Sequence, residues 1–419
     1  TLEAGDLKPA ALVIEAIIEN ADVKRDLFAA LEGVVEADAI LATNTSTLSV
    51  TELAAKLKRP GRFLGLHFFN PAPVMKLVEV VSGVNTDAAA AEASLELMLA
   101  WGKKAVFARD VPGFIVNRVA RPFYSEGWRA FEEQAMEPAS LDHLYKACAG
   151  FRMGPMELGD LIGHDINWIA SKSVFDAYHG RTRFRPSLAQ GALVAAERLG
   201  RKTGAGVYEY GEGAEKPEPS FAPEAASKAR DLRFGPAAAA LSAMAGAAPG
   251  EAVLDGLPSD AASINGAALL MARGKSAWAE AAALGRPVAL IDWVRSPAET
   301  AVFGYAASDD TADAAARAFA EHCGKRAMRI ADRPGLVILR TLLQLLNTAA
   351  DAVRDKVATP DAIDQALRFG VNYPFGPLEW AAEFGAAEAV AALDAIADET
   401  GDALYRPNEV LRKMAGADQ

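Results

Sequence analysis

The sequence predicts an α/β parallel sheet followed by all-α domains, with the helical domain present twice. Three observations carry this expectation. Through the first hundred residues, short apolar runs alternate with segments of helical period, a βαβα rhythm that builds a parallel sheet with helices on its faces. From Pro112 to about Glu197 the pattern turns helical, with a break at Gly154-Pro155. Gly, Pro, Asp and Arg positions then recur at a constant separation of 222 residues over some sixty positions, which chance does not produce.

Residues 10–17 have a buried-strand pattern, and 21–34 have helical period. A second strand is expected over 39–43, a short helix over 50–57 and a third strand over 63–66. Ligands on such a sheet collect at the carboxyl ends of the strands, where Glu19, Ser46 and His67 fall. The expected division is 1–110 for the sheet and 111–210 for the first helical domain. A linker over 211–250, a degenerate intervening segment over 251–331 and a second helical repeat over 332–419 follow.

The repeat is read from particular residues. Gly102-Lys103 matches Gly324-Lys325, Asp110-Val-Pro-Gly matches Asp332-Arg-Pro-Gly, Arg118 matches Arg340, and Gly154-Pro-Met-Glu157 matches Gly376-Pro-Leu-Glu379. Asn117 is replaced by Leu339, and the same separation carries His67 and Glu79 onto Ala289 and Ala301. The second copy therefore reads as non-catalytic, covering an apolar face of the first.

With 419 residues and 51% hydrophobic content, the chain is long enough for two or three domains with their own cores. Its net charge of -12, with no run of Lys and Arg, argues against a nucleic-acid partner. Cys148 and Cys323 lack metal-ligand spacing apart from the adjacency of His322 and Cys323, so no metal site is expected and a reducing, cytoplasmic setting fits. No run approaches the ~20 apolar residues of a membrane helix. No basic-then-apolar targeting segment opens the sequence.

Chemistry concentrates in Ser46, His67, Glu79 and Asn117, each at the end of a strand or the start of a helix. A histidine oriented by a carboxylate is a general base, and the two polar partners are placed to hold substrate oxygens, a combination that points to an enzyme. Each residue also has a plainer role open to it. Ser46 suits a turn or N-cap, and Glu19 with Lys24 suits a charge pair at a helix start. Lys202 lies in a Gly-rich loop that either holds a ligand or turns the chain.

The strings Asn44-Thr-Ser46, His67-Phe-Phe-Asn-Pro-Ala-Pro73, Asp110-Val-Pro-Gly-Phe-Ile-Val-Asn117-Arg and Gly200-Arg-Lys-Thr-Gly-Ala-Gly closely resemble the L-3-hydroxyacyl-CoA dehydrogenases. The resemblance runs from about Ala10 to Tyr210 and recurs, weakened, from about 308 to 410. With its duplicated helical domain the chain is similar to the long bacterial 3-hydroxybutyryl-CoA and 3-hydroxyadipyl-CoA dehydrogenase form. The resemblance implies NAD-dependent oxidation of an (S)-3-hydroxyacyl-CoA to a 3-ketoacyl-CoA, in fatty-acid or aromatic-compound catabolism such as that of phenylacetate. It implies His67 as the base, Glu79 as its orienter, and Ser46 and Asn117 on the substrate oxygens. Glu19, Lys24, Ser46, Asn70 and Lys202 are implied near the dinucleotide. The duplicated helical domain is expected to replace within one chain the contact that single-repeat relatives make by dimerising, and a homodimer stays open as a further assembly.

One expected feature is missing. A Rossmann-type domain opens on a strand, a GxGxxG turn and a helix that receives the pyrophosphate. No such turn occurs in this sequence; Gly211-Glu-Gly-Ala-Glu-Lys216 lacks the third glycine and follows the active domain. The expectation is therefore an incomplete Rossmann sheet whose first strands are missing, in an N-terminally truncated chain that binds NAD weakly or not at all. Two alternatives stay open: a non-catalytic CoA-binding or assembly module, and another Rossmann-plus-helical hydroxy-acid dehydrogenase. The His67 and Glu79 pair counts against the latter, whose members generally rely on a lysine base.

Overall fold

The first long helix begins where Asn20 caps it, its side chain accepting from the N–H groups of Asp22 and Val23. This helix, Ala21–Glu32, sends Phe28 against Phe63 at an edge-to-face ring distance of 4.6 Å. The computed structural model describes residues 3–226 and 228–417. The chain forms two compact units. One takes the chain up to Arg121 with Lys172–Phe184 and Thr348–Trp380; the other takes Pro122–Ser171, Arg185–Asn347 and the chain from Ala381.

The first unit holds a five-stranded sheet in the order β1-β2-β3-β4-β5. Its strands are β1 (Leu12–Glu15), β2 (Ile40–Thr43), β3 (Phe63–Phe68), β4 (Leu77–Ser82) and β5 (Lys104–Arg109). All neighbours are parallel except β3 and β4, so the expected parallel sheet is a mixed one. The reason is length: residues 69–76 cannot carry the crossover of a dozen or more residues that a parallel pair requires. Ile40, Ala42, Leu64, Leu66, Val78 and Val80 pack with Ala90, Ala91 and Met98 of the helix Ala88–Ala100 to form the core on one face.

The second unit also contains a sheet, and here the sequence reading is corrected. Residues taken as a linker (211–250) and a degenerate segment (251–331) supply six strands in the order β11-β10-β9-β8-β7-β6. These are β6 (Arg233–Phe234), β7 (Ala262–Ile264), β8 (Ala267–Met271), β9 (Val288–Ile291), β10 (Val302–Ala307) and β11 (Arg326–Arg329). Every residue of β9 and β10 is buried, so neither strand shows the alternation by which a half-buried strand is recognised.

The second sheet repeats the first. The β8–β9, β9–β10 and β10–β11 pairs are parallel, antiparallel and parallel, as are β2–β3, β3–β4 and β4–β5. Its separation from the first copy is 222 residues at β5 and β11 but 225 across the antiparallel pair (67 to 292, 79 to 304). His67 and Glu79 therefore correspond to Asp292 and Gly304, not to Ala289 and Ala301. The N–H of Asp292 donates to the carbonyl of Gly304 at 2.9 Å, the place where His67 faces Glu79.

The helical repeats keep the 222-residue separation in their packing. Asp142 accepts from the N–H groups of Met156 and Glu157 at 2.9 Å each, and Asp364 accepts from Leu378 and Glu379 at 2.9 and 2.8 Å. Arg118 of the first repeat pairs with Asp355 of the second, while Arg340 of the second reaches Glu133 of the first at 3.2 Å. These are the same two positions with the repeats exchanged, the reciprocal pattern of an isologous pairing. Among the described residues no helix is long and apolar enough to cross a membrane.

Burial pushes the Asp142 and Asp364 carboxyls up to about 6, against hydrogen bonds that pull them down. A raised folded value means the native chain holds more protons than the unfolded chain between about pH 4 and 6. That contribution to stability is complete below the ordinary aspartate range and is lost as pH rises through 6. The D142N/D364N double variant is expected to flatten the fall in urea-unfolding midpoint across this window. A slope equal to that of the native chain would contradict it.

Candidate active site

The antiparallel turn-back between β3 and β4 places Glu79 directly opposite His67. Glu79 Oε2 lies 2.6 Å from His67 Nδ1, and the two residues are 0% and 6% exposed. The other carboxylate oxygen, Oε1, accepts from the N–H groups of Ile115 and Val116 at 3.1 and 2.9 Å. Glu79 therefore closes the start of the helix Val116–Val119, which carries Asn117. The chain enters this helix through two left-handed residues, Gly113 (φ 78°) and Phe114 (φ 45°). A Cβ at Gly113 would lie 3.0 Å from the N–H nitrogen of Arg118, so glycine is needed there.

With Nδ1–H donated to the carboxylate, Nε2 of His67 keeps its lone pair. The rings of Phe69 and Phe114 lie 4.5 and 5.7 Å from the imidazole and give it apolar walls.

Ser46 sits in the turn after β2, and Glu19 holds that turn. Glu19 Oε1 accepts from Thr45 Oγ1 (2.6 Å), Ser46 N–H (3.0 Å), Thr47 N–H (3.2 Å) and Thr47 Oγ1 (3.1 Å). Burial raises the Glu19 pKa, but these bonds and the nearby Lys24 charge outweigh it and hold the carboxyl below the usual range. Asn117 Nδ2 donates to the Ser46 carbonyl at 3.4 Å. One unit thus brings together all four residues singled out for catalysis: His67 with Glu79, and Ser46 with Asn117.

The residues implied around the dinucleotide behave differently from one another. Glu19 is partly exposed and Asn70 is exposed just beyond β3. Lys24 is 1% exposed, its ammonium 2.6 Å from Glu15 and 3.3 Å from Glu19. Lys202 belongs to the other unit, where it pairs with Asp165 at 2.5 Å. Its loop is anchored by Asp160, which accepts from the N–H groups of Val207 and Tyr208 and from Tyr210 Oη, and meets His164 at 2.6 Å. Sequence reasoning missed Glu15 and Asp160. For Glu15 the available signal was an acidic residue inside an apolar strand run.

The second repeat retains the capping geometry without the histidine. Asp292 is fully buried and accepts from the N–H groups of Val337 (3.0 Å), Ile338 (2.7 Å) and Leu339 (3.0 Å), as Glu79 does from Ile115 and Val116. Burial raises its pKa against those bonds. An aspartate stands in place of the histidine and a glycine in place of the glutamate, so no imidazole is present there.

Comparison with known proteins gives the family. Residues 1–111 match the 3-hydroxyacyl-CoA dehydrogenase NAD binding domain, and 113–210 and 335–419 match the C-terminal domain of the same family. Residues 269–334 match the 3-hydroxybutyryl-CoA dehydrogenase reduced Rossmann-fold domain, within the second sheet. The chain is 42% identical over 415 residues to 3-hydroxyadipyl-CoA dehydrogenase of Escherichia coli (strain K12), covering 98% of this chain and 81% of that protein. It is 40% identical over 205 residues to 3-hydroxybutyryl-CoA dehydrogenase of Clostridioides difficile, covering 49% and 73%. The crystal structure of 3-hydroxybutyryl-CoA dehydrogenase from E. coli K12 superimposes with a TM-score of 0.89 at 41% identity, covering 100% of this chain and 84% of that one. The chain belongs to the 3-hydroxyacyl-CoA dehydrogenase family and is an oxidoreductase that uses NAD.

Proposed function

We propose that this chain oxidises (S)-3-hydroxyacyl-CoA to 3-ketoacyl-CoA with His67 as general base. The observation that carries this is the buried 2.6 Å contact between His67 Nδ1 and Glu79, which leaves Nε2 able to take the 3-hydroxyl proton. Glu79 orients the ring and stabilises the cation that forms. Ser46 and Asn117 donate to the substrate oxygens, which matters because the keto product has no hydroxyl proton of its own to donate.

The residues at the strand ends fit NAD in part. Glu19, partly exposed, offers a carboxylate to a ribose hydroxyl, Ser46 offers a further polar group beside it, and Asn70 is exposed just beyond β3. Lys24 is too buried to meet a ligand and acts from behind Glu19. NAD, when bound, supplies the hydride acceptor.

The acyl group is proposed as short or carboxylate-terminated, following the two named relatives, and the setting as fatty-acid or aromatic-compound catabolism in the cytoplasm. The two repeats pair reciprocally within one chain, so a homodimer would use a surface other than the one joining them. The test follows NADH absorbance with acetoacetyl-CoA and with a dicarboxylic 3-ketoacyl-CoA. S46A and N117A are each expected to lower kcat/KM by about tenfold to a hundredfold. Turnover that both substitutions leave untouched would exclude the proposed substrate contacts.

A further inference from the structure

Lys24 is a cation with almost no exposed surface, and its environment is built from strand register. Glu15 and Thr43 are register partners at the carboxyl ends of β1 and β2. Thr43 Oγ1 donates to Glu15 Oε2 at 2.8 Å and accepts from Thr45 N–H at 3.2 Å. Glu15 Oε1 accepts from Lys24 Nζ and from the N–H of Ile17, both at 2.6 Å. Lys24 Nζ then reaches Glu19 Oε2 at 3.3 Å, and Glu19 Oε1 binds the backbone of Ser46 and Thr47. The Ser46 turn is thus held from two sides, by Thr43 at its base and by Glu19 at its tip. Glu15 is joined to both holds, directly to Thr43 and through Lys24 to Glu19.

We infer that Glu15 is a positioning residue for the dehydrogenase reaction, acting through Thr43 and through Lys24 and Glu19 to set the Ser46 turn. The inference rests on the reading of Ser46 as a substrate-contacting residue. Without the Glu15 charge, Lys24 draws on Glu19 alone, and the carboxylate is pulled from the N–H groups of Ser46 and Thr47. A 4% exposed Glu15 has no route to substrate, so its effect is indirect. The plainer role, neutralising a buried lysine to stabilise the fold, makes a different kinetic prediction.

A double-mutant cycle on the full chain with NAD and 3-hydroxybutyryl-CoA separates the two roles. E15Q is expected to lower kcat/KM by about tenfold to a hundredfold in the native background and by less than about threefold in the S46A background. Should E15Q fold poorly, T43V removes the second hold at nearly constant volume, and T43S keeps both of its hydrogen bonds. T43V is then expected to reproduce the loss and its dependence on Ser46, with T43S restoring activity. Equal losses in both backgrounds, or full activity of T43V, would overturn the inference. Full activity of S46A alone would instead overturn the Ser46 reading and the inference with it.

Discussion

Replacing His67 by asparagine is expected to lower kcat by about 10²–10⁴-fold, the usual contribution of a positioned general base. The amide still donates to Glu79, so the buried carboxylate keeps a partner and the fold is expected to keep its thermal midpoint. Steady-state oxidation of 3-hydroxybutyryl-CoA and a circular-dichroism melt of the same preparation check both halves. A kcat within tenfold of the native chain would remove His67 from the proton transfer.

Glu79 is expected to give the second large effect, and two substitutions separate its two roles. E79Q keeps one oxygen for the N–H groups of Ile115 and Val116, 3.1 and 2.9 Å away, but its NH₂ donates to Nδ1 of His67. The ring proton then moves to Nε2 and the base is lost. A kcat loss on the order of 10³–10⁴ with near-native stability is the expected result, by the logic of an orienting carboxylate replaced by its amide. E79A removes the cap as well, leaving two buried N–H groups unpaired and a cavity at a 0% exposed position. It is expected to cost about 3 kcal/mol of stability beyond the kinetic loss. Urea-unfolding midpoints measured beside kcat decide the matter: an E79Q enzyme with native turnover, or an E79A chain as stable as E79Q, would contradict the double role.

Much of the site was legible because its residues stand at element ends that local pattern marks. His67 lies near the end of an apolar run, Ser46 follows another, and Asn117 follows the Asp110-Val-Pro-Gly turn that demands a left-handed glycine. The duplication was legible from Gly, Pro and Asp residues, whose backbone and capping roles tie them to one position in the fold. Asp142 and Asp364 show why: each caps a helix that begins at a proline.

What escaped the sequence depends on burial and on strand register. Lys24 carries the pattern of a solvated helix start, yet it is 1% exposed and enclosed by Glu15 at the end of β1 and by Glu19. Strands β9 and β10 of the second sheet are buried at every residue, so burial on both faces erased the alternation that would have announced them. The fixed separation placed Ala289 and Ala301 where strand pairing places Asp292 and Gly304, because the spacing changes by three residues between the antiparallel pair and β11.

By itself, the sequence determined the reaction class, the duplication and the identity of the four residues proposed for catalysis, because motif spacing and backbone-special residues are local properties. Tertiary structure alone decided how those residues are placed. The antiparallel return of β4 sets Glu79 against His67, the cap on Ile115 and Val116 ties Asn117 to the same carboxylate, and the register of β1 on β2 builds the Glu15–Lys24 support beneath Ser46. Hydrogen bonds between strands form only when distant segments meet, so no local pattern encodes them.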